Sequence, residues 1–235
     1  MKLNIVQGTN NAYPPADINI VIDVIRAFTV SHIAFMRGAR EIFLVNTVDE
    51  AFALKEINRE FLLAGEVGAL PIQGFDLDNS PHTFSCADIA EKSLVQKTTN
   101  GVKATLLALT ATNAPTVFVT GLSNARNTAR HVKALAASIQ DCRINIIASH
   151  PHDDDDLACA QYIQDQLLGR NSISVEAIQG RIQGARSAKK FFDPEQPEFN
   201  DKDIPFCLRE VDCDFVMQVD GSDHPPRIVK QISLA

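Results

Sequence analysis

Several features are scarce in this 235-residue sequence, and each scarcity closes off a class of function. Basic residues are outnumbered: 22 Lys and Arg against 29 Asp and Glu leave a formal net charge of -7. A nucleic-acid binder needs a basic face to displace counterions, so no nucleic-acid partner is expected. No apolar run approaches the roughly 20 residues of a membrane-spanning helix, so no membrane partner is expected either. The opening MKLNIVQGTN carries one lysine and a short strand-like run in place of the longer apolar core of a secretion signal. The expected location is therefore cytoplasmic. Cysteine is sparse and odd in number: Cys86, Cys142, Cys159, Cys207 and Cys213 contain no C-x-x-C. Reduced thiols, mostly buried as small hydrophobes, are expected. Repeats, low-complexity tracts and a dividing linker are also missing, which leaves one domain over residues 1–235 as the expected organisation.

What is present is a regular alternation. Apolar runs at 18–25, 41–45, 61–66, 93–97, 116–121 and 143–149 are rich in Val and Ile, and several are apolar on both faces. Helical periodicity lies between them: Ala125, Ala129, Val132, Ala136 and Ile139 share one face, as do Leu157, Ala160, Ile163 and Leu167. Strand and helix alternating in this way predict an α/β fold, three layers α/β/α around a largely parallel or mixed sheet. Residues 172–192 read as one further helix, and CLREVDCDFVMQVD as a short helix followed by a strand.

In open α/β sheets, ligands gather where strands end and helices begin, and four such junctions here are polar. In VIDVIRAFT, Asp23 follows a β-branched run and Arg26 precedes a helix. A carboxylate there can bind Mg²⁺ or attack phosphorus, and an arginine fork can grip an oxyanion; an Asp–Arg ion pair at the sheet rim is the plainer alternative. An Asp-x-Asp pair would suggest a haloacid-dehalogenase phosphatase, but position 25 is Ile. In LLAGEVGALPIQGFDLDNSP, Glu66 and Asp76 sit among glycines, and oxygen-rich loops suit a hard cation; Asp78 reads as turn chemistry. The turn Thr98, Thr99, Asn100, Gly101 offers hydroxyl, amide and backbone donors at a helix start, which can either cap the helix or cradle an oxyanion. Ser123 and Asn124, after Gly121, repeat that design. In SHPHDDDDLACA, Asp153 and Asp154 read as solvated cap residues, and Asp155 or Asp156 as the better ligand candidate. His150 and His152 lack a third ligand at zinc spacing.

Taken in order, these junctions resemble the 2-phosphosulfolactate phosphatase family. The resemblance is carried by Asp23-Val24-Ile25-Arg26-Ala27, Gly65-Glu66, the long element Gly74-Phe75-Asp76-Leu77-Asp78-Asn79-Ser80-Pro81, and Thr98-Thr99-Asn100-Gly101. Asn124-Ala125 and Asp155-Asp156-Leu157-Ala158-Cys159-Ala160 complete it. The chain departs from the family pattern at Phe28, Val67, Ala69, Lys97 and Val102. The resemblance implies a Mg²⁺-dependent phosphatase that releases phosphate from 2-phosphosulfolactate, a step of coenzyme M synthesis.

On that reading Asp23 and Arg26 are the catalytic pair, and Glu66, Asp76 and Asp156 are the metal ligands. Thr98, Thr99, Asn100, Gly101, Ser123 and Asn124 then bind a small anionic phosphorylated substrate. Arg26 or Arg126 could instead hold its carboxylate or sulfonate. Phosphatase action on another 2-phospho-acid, and a non-catalytic phosphometabolite-binding module, stand as alternatives. A homodimer is compatible with all of them.

Overall fold

The structure is a computed structural model and describes residues 1–9, 12–110 and 115–234. Its strands are β1 (Lys2–Gln7), β2 (Ile18–Ile22), β3 (Glu41–Leu44), β4 (Leu62–Val67), β5 (Leu70–Pro71), β6 (Ser93–Lys97), β7 (Thr116–Thr120), β8 (Arg143–Ala148), β9 (Phe215–Asp220) and β10 (Arg227–Ile232). The helices are α1 (Ala27–Met36), α2 (Val48–Ile57), α3 (Pro81–Cys86), α4 (Gly101–Leu109), α5 (Ala125–Ala136), α6 (Asp154–Leu167), α7 (Val175–Gly184), α8 (Arg186–Lys189) and α9 (Ile204–Leu208). The strands form one ten-stranded mixed sheet in the order β1-β8-β2-β7-β9-β10-β3-β6-β4-β5. None of the described helices is long and apolar enough to cross a membrane.

The sheet is two parallel blocks, β1-β8-β2-β7 and β3-β6-β4, joined through the antiparallel pair β9–β10. Alternation along the strands sorts side chains between two faces. Val21, Val117, Val119, Phe215 and Met217 pack with α1, α3 and α4 on one side. Ile18, Ile20, Ile22, Phe118, Ile144 and Ile146 pack with α5, α6 and α7 on the other. Full burial of each such side chain contributes about 1.5–3 kcal/mol.

The two blocks run in opposite senses, so in a flat sheet their carboxyl ends would lie at opposite edges. A twist of about 20–25° per strand, over the five steps from β2 to β6, turns one block by roughly 100–125° relative to the other. Helices α1 and α4 pack against strands of both blocks on one face. Gln96 of β6 donates to Ala27 O at 3.1 Å, and Asn19 of β2 donates to Ala108 O at 3.1 Å. The ends of β2, β4, β6 and β8 come to one place.

Local sequence sets the helix starts. Thr47 and Glu50 form a reciprocal capping box on α2, Ser80 caps α3 ahead of Pro81, and Ser174 caps α7. The single helix expected over 172–192 is instead α7 and α8, separated at Ala185, whose backbone is extended. The cause is tertiary: the Asp153 carboxylate takes the backbone N–H groups of Arg186 and Ser187, and so starts a new helix there. In the tail, β9 matches the expected strand, but the helix expected from Cys207 lies earlier: α9 ends at Leu208 and residues 209–213 form neither helix nor strand, while β10 carried no sequence signal.

Candidate active site

A cavity of about 520 Å³ opens at the converged strand ends. Asp23 and Arg26 reach it from the β2–α1 junction, Glu66 and Ala69 from the β4–β5 hairpin, and Thr99 and Asn100 from the β6–α4 turn. Asn79 comes from the loop before α3, His150 to Asp153 from the β8–α6 junction, and Arg186, Ser187 and Lys190 from α8 and the turn after it.

Asp23 is 6% exposed, and its Oδ1 accepts from Ala27 N at 2.9 Å, which caps α1. Its Oδ2 receives a long contact from Ser149 Oγ, 3.4 Å. Gly101 is required beside it, because a Cβ there would stand 2.7 Å from Asp23 Oδ2. Glu66, also 6% exposed, is clamped by its neighbours: Thr99 N donates to Oε1, while Thr99 Oγ1 and Ala69 N donate to Oε2. Ala69 adopts φ 71°, a left-handed turn that aims its N–H back at the carboxylate. Arg26 does not pair with Asp23. Its Nη1 donates to Asp203 Oδ2 at 2.7 Å, its Nη2 to Ala69 O at 3.3 Å, and its guanidinium lies 4.9 Å over the Phe191 ring. Asp203 is fully buried and also accepts from Ser80 Oγ and His82 N.

The floor of the site crowds acids together. Burial pushes the Asp23 carboxyl up to about 6, and the Glu66 charge adds to the rise. Burial likewise raises Asp155 to about 7, with Asp153 and Asp23 contributing. Asp156 is pushed up by burial, then by Asp155 and Asp23. Three side-chain oxygens in this region, Asn79 Oδ1, Asp155 Oδ1 and Ser187 Oγ, are buried without a partner among the described residues. Buried acceptors and mutually repelling carboxylates are what a hard cation would relieve. Among the described residues no three His, Cys, Asp or Glu side chains stand ready to hold an ion by themselves. The two buried carboxylates that line the cavity, Asp23 and Glu66, would suit Mg²⁺, which keeps several waters and binds through one or two carboxylates together with substrate oxygens.

Residues 4–222 match the family described as 2-phosphosulpholactate phosphatase. The chain belongs to this phosphatase family. A protein of Bacillus subtilis strain 168, named probable 2-phosphosulfolactate phosphatase, is 52% identical over 232 residues, 99% of this chain and 100% of its own. Proteins of the same name from Deinococcus radiodurans and Clostridium novyi are each 36% identical. They match over 179 and 163 residues, which cover 75% and 68% of this chain and 71% and 66% of theirs.

Set against the family reading, the sequence-based candidates divide in two. Asp23, Arg26, Glu66, Thr99 and Asn100 line the cavity. Thr98 and Gly101 sit directly behind it: Thr98 Oγ1 accepts from Val102 N, and Gly101 makes room for Asp23. Asp156 lies behind Asp23 with both oxygens engaged, Oδ1 by Val24 N and Oδ2 by Ser149 Oγ and His150 N. It ties the β2–α1 and β8–α6 junctions together. Asp76 is elsewhere. Its Oδ2 accepts from Leu63 N at 2.8 Å and pairs with Lys55 at 3.0 Å, near the start of β4, whereas Glu66 is near its end. Ser123 and Asn124 are also outside: Ser123 Oγ meets His32 Nδ1 at 2.9 Å, and Asn124 Oδ1 accepts from Thr120 Oγ1 and Gly121 N. Arg126 is held by Tyr162 and Glu210, away from the cavity.

Two acid assignments change. Asp153 is buried, not solvated; burial pushes its carboxyl up, but N–H donors from Asp154, Ser187 and Arg186 hold it below the usual range. Asp154 pairs with Arg181. Sequence reasoning missed Asp203, Arg186 and Lys190. A signal existed for the last two: ARSAKK is a basic cluster in an otherwise acidic chain.

Proposed function

We propose that this chain is a Mg²⁺-dependent phosphatase that hydrolyses the phosphate ester of a small 2-phospho-hydroxy acid, with 2-phosphosulfolactate the favoured substrate. The observation that carries the reading is one cavity with buried carboxylates, Asp23 and Glu66, on its floor and cations, Arg26, Arg186 and Lys190, on its walls. Asp23 and Glu66 would hold the Mg²⁺, with the unpartnered Asn79 Oδ1 beside them. When bound, the cation supplies charge neutralisation on phosphoryl oxygens and a bound water of lowered pKa.

The protein groups divide the remaining work. Arg26, fixed by Asp203 and Ala69 O, offers its remaining N–H groups to the phosphoryl oxygens. Asn100 reaches the same space with a side chain that makes no helix-cap bond. Thr99 acts through Glu66, because its amide and hydroxyl are both committed to that carboxylate. Water adds to phosphorus as the P–O ester bond breaks, giving sulfolactate and inorganic phosphate. The test is phosphate release across a panel of small phosphorylated hydroxy acids, with chelator and after Mg²⁺ restoration. Release that tolerates the chelator sinks the metal assignment, and no release from any member with Mg²⁺ present sinks the enzyme.

A further inference from the structure

Three cations border the cavity, and they are not equivalent. Arg26 is neutralised by the buried Asp203 at 2.7 Å. Arg186 and Lys190 make no ion pair with any described residue. Lys190 is half-buried, its ammonium 4.5 Å over the Phe199 ring and 5.8 Å over Phe191. The rings hold the stem and leave the charge only partly solvated. Burial, then the Arg26 charge, lower the affinity of that ammonium for its proton. The more distant charges of Glu66, Asp155 and Asp153 act the other way without outweighing burial, so the charge stays incompletely compensated and an incoming anion offsets the remaining cost.

The backbone that carries the pair is anchored, with the Arg186 side chain itself exposed. Asp153 Oδ1 accepts from Arg186 N at 3.0 Å and Oδ2 from Ser187 N at 2.6 Å, while the same carboxylate caps α6. One side chain thus fastens the segment that carries both cations to the β8–α6 junction. The buried carboxylates Asp23 and Glu66 come from other junctions, so acids and unpaired cations enter the cavity from different elements.

We propose that Arg186 and Lys190 form a second anion subsite, which selects phosphate monoesters whose leaving group carries a further oxyanion, a sulfonate or carboxylate. This rests on the phosphatase reading for the ester, but not for the binding of the second anion. The phosphate would sit toward Asp23 and Glu66 with the cation, and the acid group would face Lys190 and Arg186.

Two measurements test it. The first compares kcat/KM for 2-phosphosulfolactate with kcat/KM for p-nitrophenyl phosphate, whose leaving group has no such acid. One charge-assisted contact supports a loss of roughly 10- to 100-fold in that ratio for Lys190→Gln or Arg186→Gln. Lys190→Arg is expected to restore most of it, and Lys92→Gln, a lysine paired with Glu60 outside the cavity lining, to leave it unchanged. An unaltered ratio in both glutamine variants overturns the subsite. The second measurement titrates 3-sulfolactate, with chelator and without phosphate, and reads thermal stabilisation. Stabilisation of the wild type that is lost in the Lys190→Gln/Arg186→Gln double variant supports the subsite, even if the enzyme releases no phosphate. Equal stabilisation of the two proteins, or none of either, overturns it.

Discussion

Two turns in this molecule are built from nearly the same parts. At the end of β6, Thr98, Thr99, Asn100 and Gly101 lead into α4; at the end of β7, Thr120, Gly121, Ser123 and Asn124 lead into α5. Both glycines press against the chain entering or forming α1. A Cβ at Gly101 would stand 2.7 Å from Asp23 Oδ2, and one at Gly121 would stand 2.7 Å from Thr29 Oγ1. Yet the second turn satisfies itself, with Asn124 accepting from Thr120 and Gly121 and Ser123 engaged with His32. The first turn satisfies Glu66 of the neighbouring strand β4 and sends Asn100 into the cavity. The same local chemistry is a binding element in one place and a structural lock in the other, and the neighbour each turn meets decides which.

The largest expected effect tests the acidic side of that contrast. Asp23→Asn keeps an oxygen for Ala27 N but removes the charge, so phosphate release should fall by about 10³-fold while the circular-dichroism spectrum stays that of the wild type. A loss of less than tenfold removes Asp23 from the centre of the chemistry. Next comes the pair of glycines. Gly101→Ala should displace Asp23 and cost both activity, roughly 10- to 100-fold, and stability, about 1–3 kcal/mol. Gly121→Ala should cost similar stability but leave kcat/KM per folded molecule within about threefold. Equal loss of activity in both would end the distinction between the two turns.

The lock itself has a pH signature. Burial pushes the His32 imidazole down to about 4, so it is neutral in the fold, facing Ser123 Oγ and Cys213 Sγ. Between its unfolded value near 6.5 and that folded value the unfolded chain binds more protons, so this histidine's contribution to stability falls as pH falls through the window. The stability difference between wild type and His32→Gln, from urea unfolding, should therefore change by about 3 kcal/mol between pH 7.5 and pH 4. Taking a difference is necessary because the raised carboxyls Asp23 and Asp155 act with the opposite sign, binding protons more readily in the fold. The smallest effect belongs to Asp76→Asn. Its partly exposed pair with Lys55 lies outside the cavity, so stability should drop by no more than about 1 kcal/mol and phosphate release by less than about threefold.

The layered fold was legible because its signal is local and repeated. Unbroken Ile and Val runs mark strands covered on both faces, and the stripe of Ala125, Ala129, Val132 and Ala136 marks a helix buried on one side. β10 was not legible: several of its residues are exposed, and it is a strand because β9 and β3 pair with it. Asp76 misled for a related reason, since an acid beside glycines looks the same whether it faces a cavity or accepts from Leu63 N.

From residue order alone come most of the strands, most of the helices, and the polar stretches where strand gives way to helix, because propensity, capping and periodicity act over a few neighbours. Which of those stretches meet is a property of the assembled sheet. Parallel pairing of β4 with β6 sets Glu66 against Thr99; the joining of two blocks of opposite sense through β9 and β10 sets Gly101 against Asp23, and an acid more than 170 residues away holds Arg26. Electrostatics and hydrogen bonding act through space, and distance in space is fixed only once the chain has closed on itself.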